Sequence, residues 1–198
     1  MLQNRFPIAY WGSISYYQLL IASGNVVVEL YETYPKQTYR NRCTILTASG
    51  VLELSIPVNR VNGSKTLTKD IEISNTQDWQ KVHWRAIKSA YASSPFFDHY
   101  SMEIEELLFS EHRFLVDFNQ QIQERICQWL DLPIIMQITD DFYSNYQNDL
   151  LHNFEKRIPK GDYNYQQVFT SKENFEPDLT ILDALMNLGP MARKLLIK

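Results

Sequence analysis

Residues 26–28 are three valines in a row, and the run NVVVELY around them leaves little choice of conformation. Adjacent β-branched side chains lose rotamer freedom in a helix and fit a pleated strand. The run has no polar alternation, so it reads as a buried strand bounded by a turn signal. Just upstream, SISYYQLLIASGN places Ile14, Tyr17, Leu20 and Ile21 at helical spacing and ends in Gly24 and Asn25. That pattern predicts a helix over about 13–22. LQNRF before it can form a short strand. Strand, helix and strand in that order open the chain with a βαβ-like unit.

Further along, RCTILTAS and VLELSIPV flank Gly50 and predict an antiparallel hairpin, with Pro57 at a strand end or edge. NRVNGSKTLTK reads as an exposed polar loop, and IEISN as a short strand. DWQKVHWRAIKSAY predicts a helix capped by Asp78 or Thr76, with Trp79, His83, Ala86, Ile87 and Ala90 on one face. Further helices are predicted at about 101–110 and 114–130, then a strand in LPIIMQIT. A last helix, capped by Thr180 or Asp178, is stopped by Gly189 and Pro190. The expected fold class is α/β (or α+β): a single domain over 1–198, with a mixed sheet, an early βαβ-like unit, an antiparallel hairpin and a helical C-terminal half. A less regular excursion at about 140–178 is rich in Asp, Asn, Tyr, Lys and Gln, and suits a lid or an oligomer contact.

Charge narrows the function. The net charge is −4, which does not indicate nucleic-acid binding. It is unevenly placed, at +3 over residues 1–100 and −7 over 101–198. Two distant cysteines, Cys43 and Cys127, without a signal-peptide pattern at MLQNRFPIAY, are expected as reduced thiols in the cytoplasm. No run is long and apolar enough to span a membrane.

The densest chemistry is YPKQTYRNRC, residues 34–43. In an extended segment Lys36, Arg40 and Arg42 project on one face and Tyr39 and Asn41 on the other. Three cations at such spacing can grip a phosphate or carboxylate. The alternative is that they pair with acidic residues of the second half, or form a solvated face. His83 offers a general base or a satisfied core histidine. The other histidines share no metal-ligand spacing with it, so neither a metal nor a cofactor is expected. Phosphate-loop, dinucleotide, nucleophile-elbow and zinc-protease motifs are absent.

Several stretches together resemble the WbqC-like protein family: SISYYQLLIASGNVVVE, YPKQTYRNRCTI, LSIPV, DWQKVHWRAIKSAYASSPFFDHY, FLVDFN and LTILDALMNLGP. The resemblance covers most of the chain and thins across about 140–175. It implies a bacterial surface-polysaccharide protein that transfers an acyl or aminoacyl group to a nucleotide-linked amino sugar. Many members carry a His-Gln-Pro-like start; here the stretch is LQNRFP, with Gln3 and Pro7 and no histidine. On this reading Lys36, Arg40 and Arg42 hold a small anionic substrate (a nucleotide sugar or acyl donor), Tyr39 and Asn41 orient it, and His83 is the general base. The alternatives are a non-catalytic binding module for an anionic metabolite or glycan, and a structural interaction protein. The oligomeric state is open.

Overall fold

The computed structural model describes residues 4–24, 26–35, 38–134, 136–139, 148–149, 163–170 and 175–197. The expected opening unit is present. Strand β1 (Asn4–Phe6), helix α1 (Ile14–Ser23) and strand β2 (Val26–Val28) follow one another, and β1 pairs parallel to β2 with Asn4 opposite Val26. Ser13 caps α1 by accepting from the Tyr16 N–H at 3.2 Å. All three valines of β2 are buried, as a strand inside a parallel sheet requires.

The hairpin is also as expected. Strand β3 (Arg42–Thr47) pairs antiparallel with β4 (Gly50–Ser55), from Arg42 opposite Ser55 to Thr47 opposite Gly50. Gly50, at φ +105, supplies the turn conformation that side chains avoid. Part of the stretch read as an exposed loop is instead ordered. Strand β5 (Val58–Arg60) pairs antiparallel with β6 (Ile71–Ile73), and two short 3₁₀ turns, Gly63–Lys65 and Thr68–Asp70, lie between them.

Three amphipathic helices follow: α2 (Trp79–Tyr91), α3 (Phe97–Phe109) and α4 (Leu115–Trp129). Helix α3 begins four residues before the expected 101, directly after Pro95 and Phe96. The cap expected of Asp78 or Thr76 on α2 is not made. Asp78 binds Lys81 at 2.9 Å and the Thr76 hydroxyl meets that of Ser74 at 3.1 Å. Strands β7 (Met136–Ile138) and β8 (Asn148–Asp149) join the first sheet in the order β7-β2-β1-β8, all parallel. Parallel and antiparallel pairing thus occupy separate sheets.

Helix α5 (Ile181–Leu188) and helix α6 (Arg193–Leu196) close the fold. Thr180 caps α5 and stitches it to the start of the chain. Its hydroxyl donates to the Trp11 carbonyl at 2.6 Å and its N–H to Thr44 at 3.0 Å, while the Ile181 N–H reaches Gly12 at 2.9 Å. Trp11 is wholly buried at φ +43, a conformation bulky residues adopt only when their surroundings hold them there. The excursion expected at 140–178 lies in large part outside the described residues. Of its described parts, β8 joins the first sheet, and the 163–170 stretch docks on α5, where Asp183 accepts from the Tyr165 hydroxyl at 2.6 Å and from Gln167 Nε2 at 3.0 Å.

Gly189 ends α5 at φ +57, and a Cβ there would stand 2.4 Å from the Phe96 ring. Gly189→Ala is expected to cost roughly 1–3 kcal/mol in strain alone, read as a lowered midpoint in urea unfolding. An unchanged midpoint would show that Phe96 is free to move aside.

Candidate functional site

Ligands of open parallel sheets bind beyond the carboxyl ends of the strands. Here those ends carry buried charge. Strand β2 runs into Glu29, whose carboxylate accepts from the Tyr31 N–H at 2.7 Å and the Thr139 hydroxyl at 3.1 Å, with Arg5 at 3.9 Å. Thr139 stands just past β7, and its N–H donates to Val28 at 3.0 Å.

The chain then turns into the basic segment. Arg40, 2% exposed, forms an ion pair with Glu32, itself buried. Both backbones are held as well. Asn119 on α4 donates its side-chain amide to the Arg40 carbonyl at 2.7 Å, and the Thr68 N–H donates to the Glu32 carbonyl at 2.9 Å. Asn41 and Ile56 are joined twice, through the Asn41 amide to the Ile56 carbonyl (2.9 Å) and the Ile56 N–H to the Asn41 carbonyl (2.8 Å). Arg42 reaches across the hairpin to Glu53 at 2.8 Å. Tyr39 packs its ring on the core and accepts from the Tyr10 N–H at 2.9 Å. Lys36 lies outside the described residues. The arginine partners, Glu32 and Glu53, come from the first half of the chain, not from the acidic second half.

Two further residues complete the cluster. The Arg60 guanidinium sits over the Tyr34 ring, 5.1 Å from its centre, and donates to the Pro35 carbonyl at 3.4 Å. No carboxylate pairs with Arg60 among the described residues. Burial pushes the Tyr34 hydroxyl up to about 12, against the opposing pull of Arg40, Arg60 and Arg42. Of these three guanidiniums, two are matched by carboxylates among the described residues. Several buried polar atoms here have no hydrogen-bond partner: Arg40 Nε, Asn41 Oδ1, Asn119 Oδ1 and Thr68 Oγ1. Each such atom costs roughly 1–3 kcal/mol, and folded proteins hold few of them.

His83 lies on the buried face of α2, 3% exposed. Its Nδ1 meets the Tyr10 hydroxyl at 2.7 Å, and its ring stands edge-on to Trp79 with centres 5.2 Å apart. Burial pushes the imidazole down to about 4, against the upward pull of a hydrogen bond to the Ser55 backbone. It is neutral at physiological pH. Tyr10 thus ties His83 to the basic segment: its hydroxyl meets the imidazole, and its N–H holds the Tyr39 carbonyl.

Glu32, Tyr34, Arg60 and Asn119 were not singled out from the sequence as site residues. Asn119 alone carried a usable signal, as a polar residue on the apolar stripe of Leu115, Ile122 and Ile126. Arg60 sits in a three-residue strand too short to read.

The sequence model of the WbqC-like protein family matches residues 9–164, most of the chain and all of this cluster. The chain is also similar to Uncharacterized protein Rv1507c of Mycobacterium tuberculosis, 22% identical over 210 aligned residues that cover 89% of each protein. No solved structure matches.

Removing one partner of a buried ion pair strands the other. Arg40→Met or Glu32→Met is therefore expected to cost ~3–5 kcal/mol, with the double variant recovering much of the loss in a chemical-denaturation cycle. Strictly additive losses would mean the two groups do not interact. For His83, the folded value lies below the unfolded ~6.5, so its contribution is complete above about pH 6.5 and falls away toward pH 4. Wild type is expected to lose roughly 3 kcal/mol more than His83→Gln across that window. Parallel stability profiles for the two proteins would refute the burial effect.

Proposed function

The chain belongs to the WbqC-like protein family, and from that premise we propose that it is a cytoplasmic enzyme of bacterial surface-polysaccharide assembly. In this reading it transfers an acyl or aminoacyl group to a nucleotide-linked amino sugar. One observation carries it: Arg60 stands over the Tyr34 ring with no carboxylate partner among the described residues, next to a segment where Arg40 and Arg42 have theirs. Phosphates bind best where guanidiniums offer several fixed N–H groups and where water is partly excluded. Arg60 supplies the unmatched charge. Arg42, partly exposed and paired in a high-dielectric setting, gives up little by exchanging Glu53 for a ligand oxygen. Arg40, locked to Glu32, fixes the backbone on which Asn41 and Arg42 sit. His83 acts as a positioning residue, holding Tyr10 and through it the Tyr39 carbonyl.

A second reading is a binding module without chemistry, and the burial of His83 favours it, because that removes the base offered by the sequence from contact with solvent. The two differ in product formation and share the anion site.

A thermal-shift series on wild type, Arg60→Ala and Arg42→Ala tests the site, with nucleotide sugars, acyl-coenzyme A and inorganic phosphate as probes. A ligand at 100 times its Kd adds ~2.7 kcal/mol. Wild type is expected to show that stabilisation with a nucleotide-linked sugar, and Arg60→Ala to lose most of it. If no compound stabilises wild type, or Arg60→Ala responds equally, the anion site is wrong. Binding without product from any acyl donor would select the module over the enzyme.

A further inference from the structure

A separate cleft lies at the start of α2, bounded by β6, the first turn of α2 and the 109–113 turn between α3 and α4. It encloses about 760 Å³, inside the ~300–1,000 Å³ range of small-molecule sites. Its charges nearly cancel. Asp78 pairs with Lys81 at 2.9 Å and Glu72 with Arg113 at 2.7 Å. Glu111, exposed, is the lining charge left without an opposite partner among the described residues. An anion approaching this rim meets a net negative charge, whereas an ammonium group meets a carboxylate.

The uncharged surfaces point the same way. Trp79, 4% exposed, forms part of the wall, is fixed edge-on against Phe118, and has an indole N–H without a partner. Helix α2 begins with no side-chain cap, because Asp78 is engaged by Lys81. The Trp79 and Val82 N–H groups are taken by the Gln77 and Asp78 carbonyls, which leaves those of Gln80 and Lys81 for ligand oxygens. His112 Nε2 lies 2.9 Å from Gln121 Oε1. An amide oxygen only accepts, so Nε2 carries the proton in this contact, and in that tautomer Nδ1 can accept. Donors, an acceptor, a carboxylate and an aromatic wall therefore line one cleft.

We propose that this cleft binds an amine-bearing polyhydroxylated molecule of sugar size, with the amine at Glu111 and hydroxyls at the α2 amides and His112. As the acceptor site of the transfer described above it rests on that reading; as a binding site it stands on the cleft alone. Placement supports the pairing of roles. Arg60 lies opposite Ile71 in the β5–β6 ladder and the cleft begins at Glu72, one residue along, or roughly 3.5 Å of strand.

The test is an NMR titration of the ¹⁵N-labelled full chain with D-glucosamine, D-glucose and inorganic phosphate. D-glucosamine is expected to shift the Gln80, Lys81 and His112 amides saturably, D-glucose to do so more weakly, and phosphate not at all. Glu111→Gln, an exposed substitution that leaves the core intact, is expected to weaken D-glucosamine roughly three- to fivefold, the worth of an exposed ion pair, and to leave D-glucose unchanged. Absence of saturable shifts at these amides, a phosphate response there, or a Glu111→Gln variant equal to wild type would each overturn the inference. Saturable D-glucosamine binding with no product from any acyl donor would leave the cleft standing and remove the transfer reading. Product formation untouched by Glu111→Gln would leave the transfer reading standing and remove the cleft's role as its acceptor site.

Discussion

Taking a guanidinium and a carboxylate out of water costs several kcal/mol for each ion, and their attraction repays this only with good geometry and further hydrogen bonds. The Arg40–Glu32 pair, with side chains 2% and 4% exposed, imposes that requirement on its surroundings. Asn119 on α4, the Thr68 turn and the two Asn41–Ile56 hydrogen bonds all serve it, and they come from separate stretches of the chain. The pair therefore adds specificity to the fold: the segment from Tyr39 to Arg42 has one place to go, and β3 leaves it in a set direction. Neighbouring guanidiniums are carried into position by the same anchor.

The β5–β6 ladder runs between the Arg60 cluster and the α2 cleft, the two surfaces proposed to take ligands. One end presents Arg60 above Tyr34; the other opens on the α2 cleft, whose one unmatched charge among the described residues is negative. Two ligands of unlike charge would then meet across a three-residue ladder. Main-chain pairing along this ladder would set the spacing between the two ligands. Proximity of this kind is a large part of what a group-transfer protein can offer, because it converts a two-body encounter into a local one.

Local patterns that depend on few residues were readable in the chain itself. The valines of β2, the hairpin around Gly50 and the stripes of α2 and α4 each carry their periodicity within a dozen positions. The basic segment was readable as a feature, while its partners were not. Glu32 sits eight residues upstream of Arg40 and Asn119 seventy-nine downstream, and nothing local distinguishes a guanidinium that will be buried against a carboxylate from one left to solvent. His83 is a similar case. Its helical face marked it as buried or nearly so, but the Tyr10 hydroxyl that occupies its Nδ1 lies seventy-three residues away. Asp78 had the residue type of a cap, and Lys81, one turn on, drew it away.

Thr180 has a consequence for how the protein is made. Its bonds to Trp11 and Thr44, and that of Ile181 to Gly12, join positions some 135–170 residues apart. A ribosome adds roughly 5–20 residues per second, so the amino-terminal aromatic core waits many seconds for the strand of chain that completes it. During that interval Trp11 has no Thr180 hydroxyl to hold its carbonyl, and the apolar faces of α1 and β3 are only partly covered. Long-range closure of this sort slows folding and exposes sticky surface, which makes the nascent chain a natural client for chaperones until residues near 180 emerge.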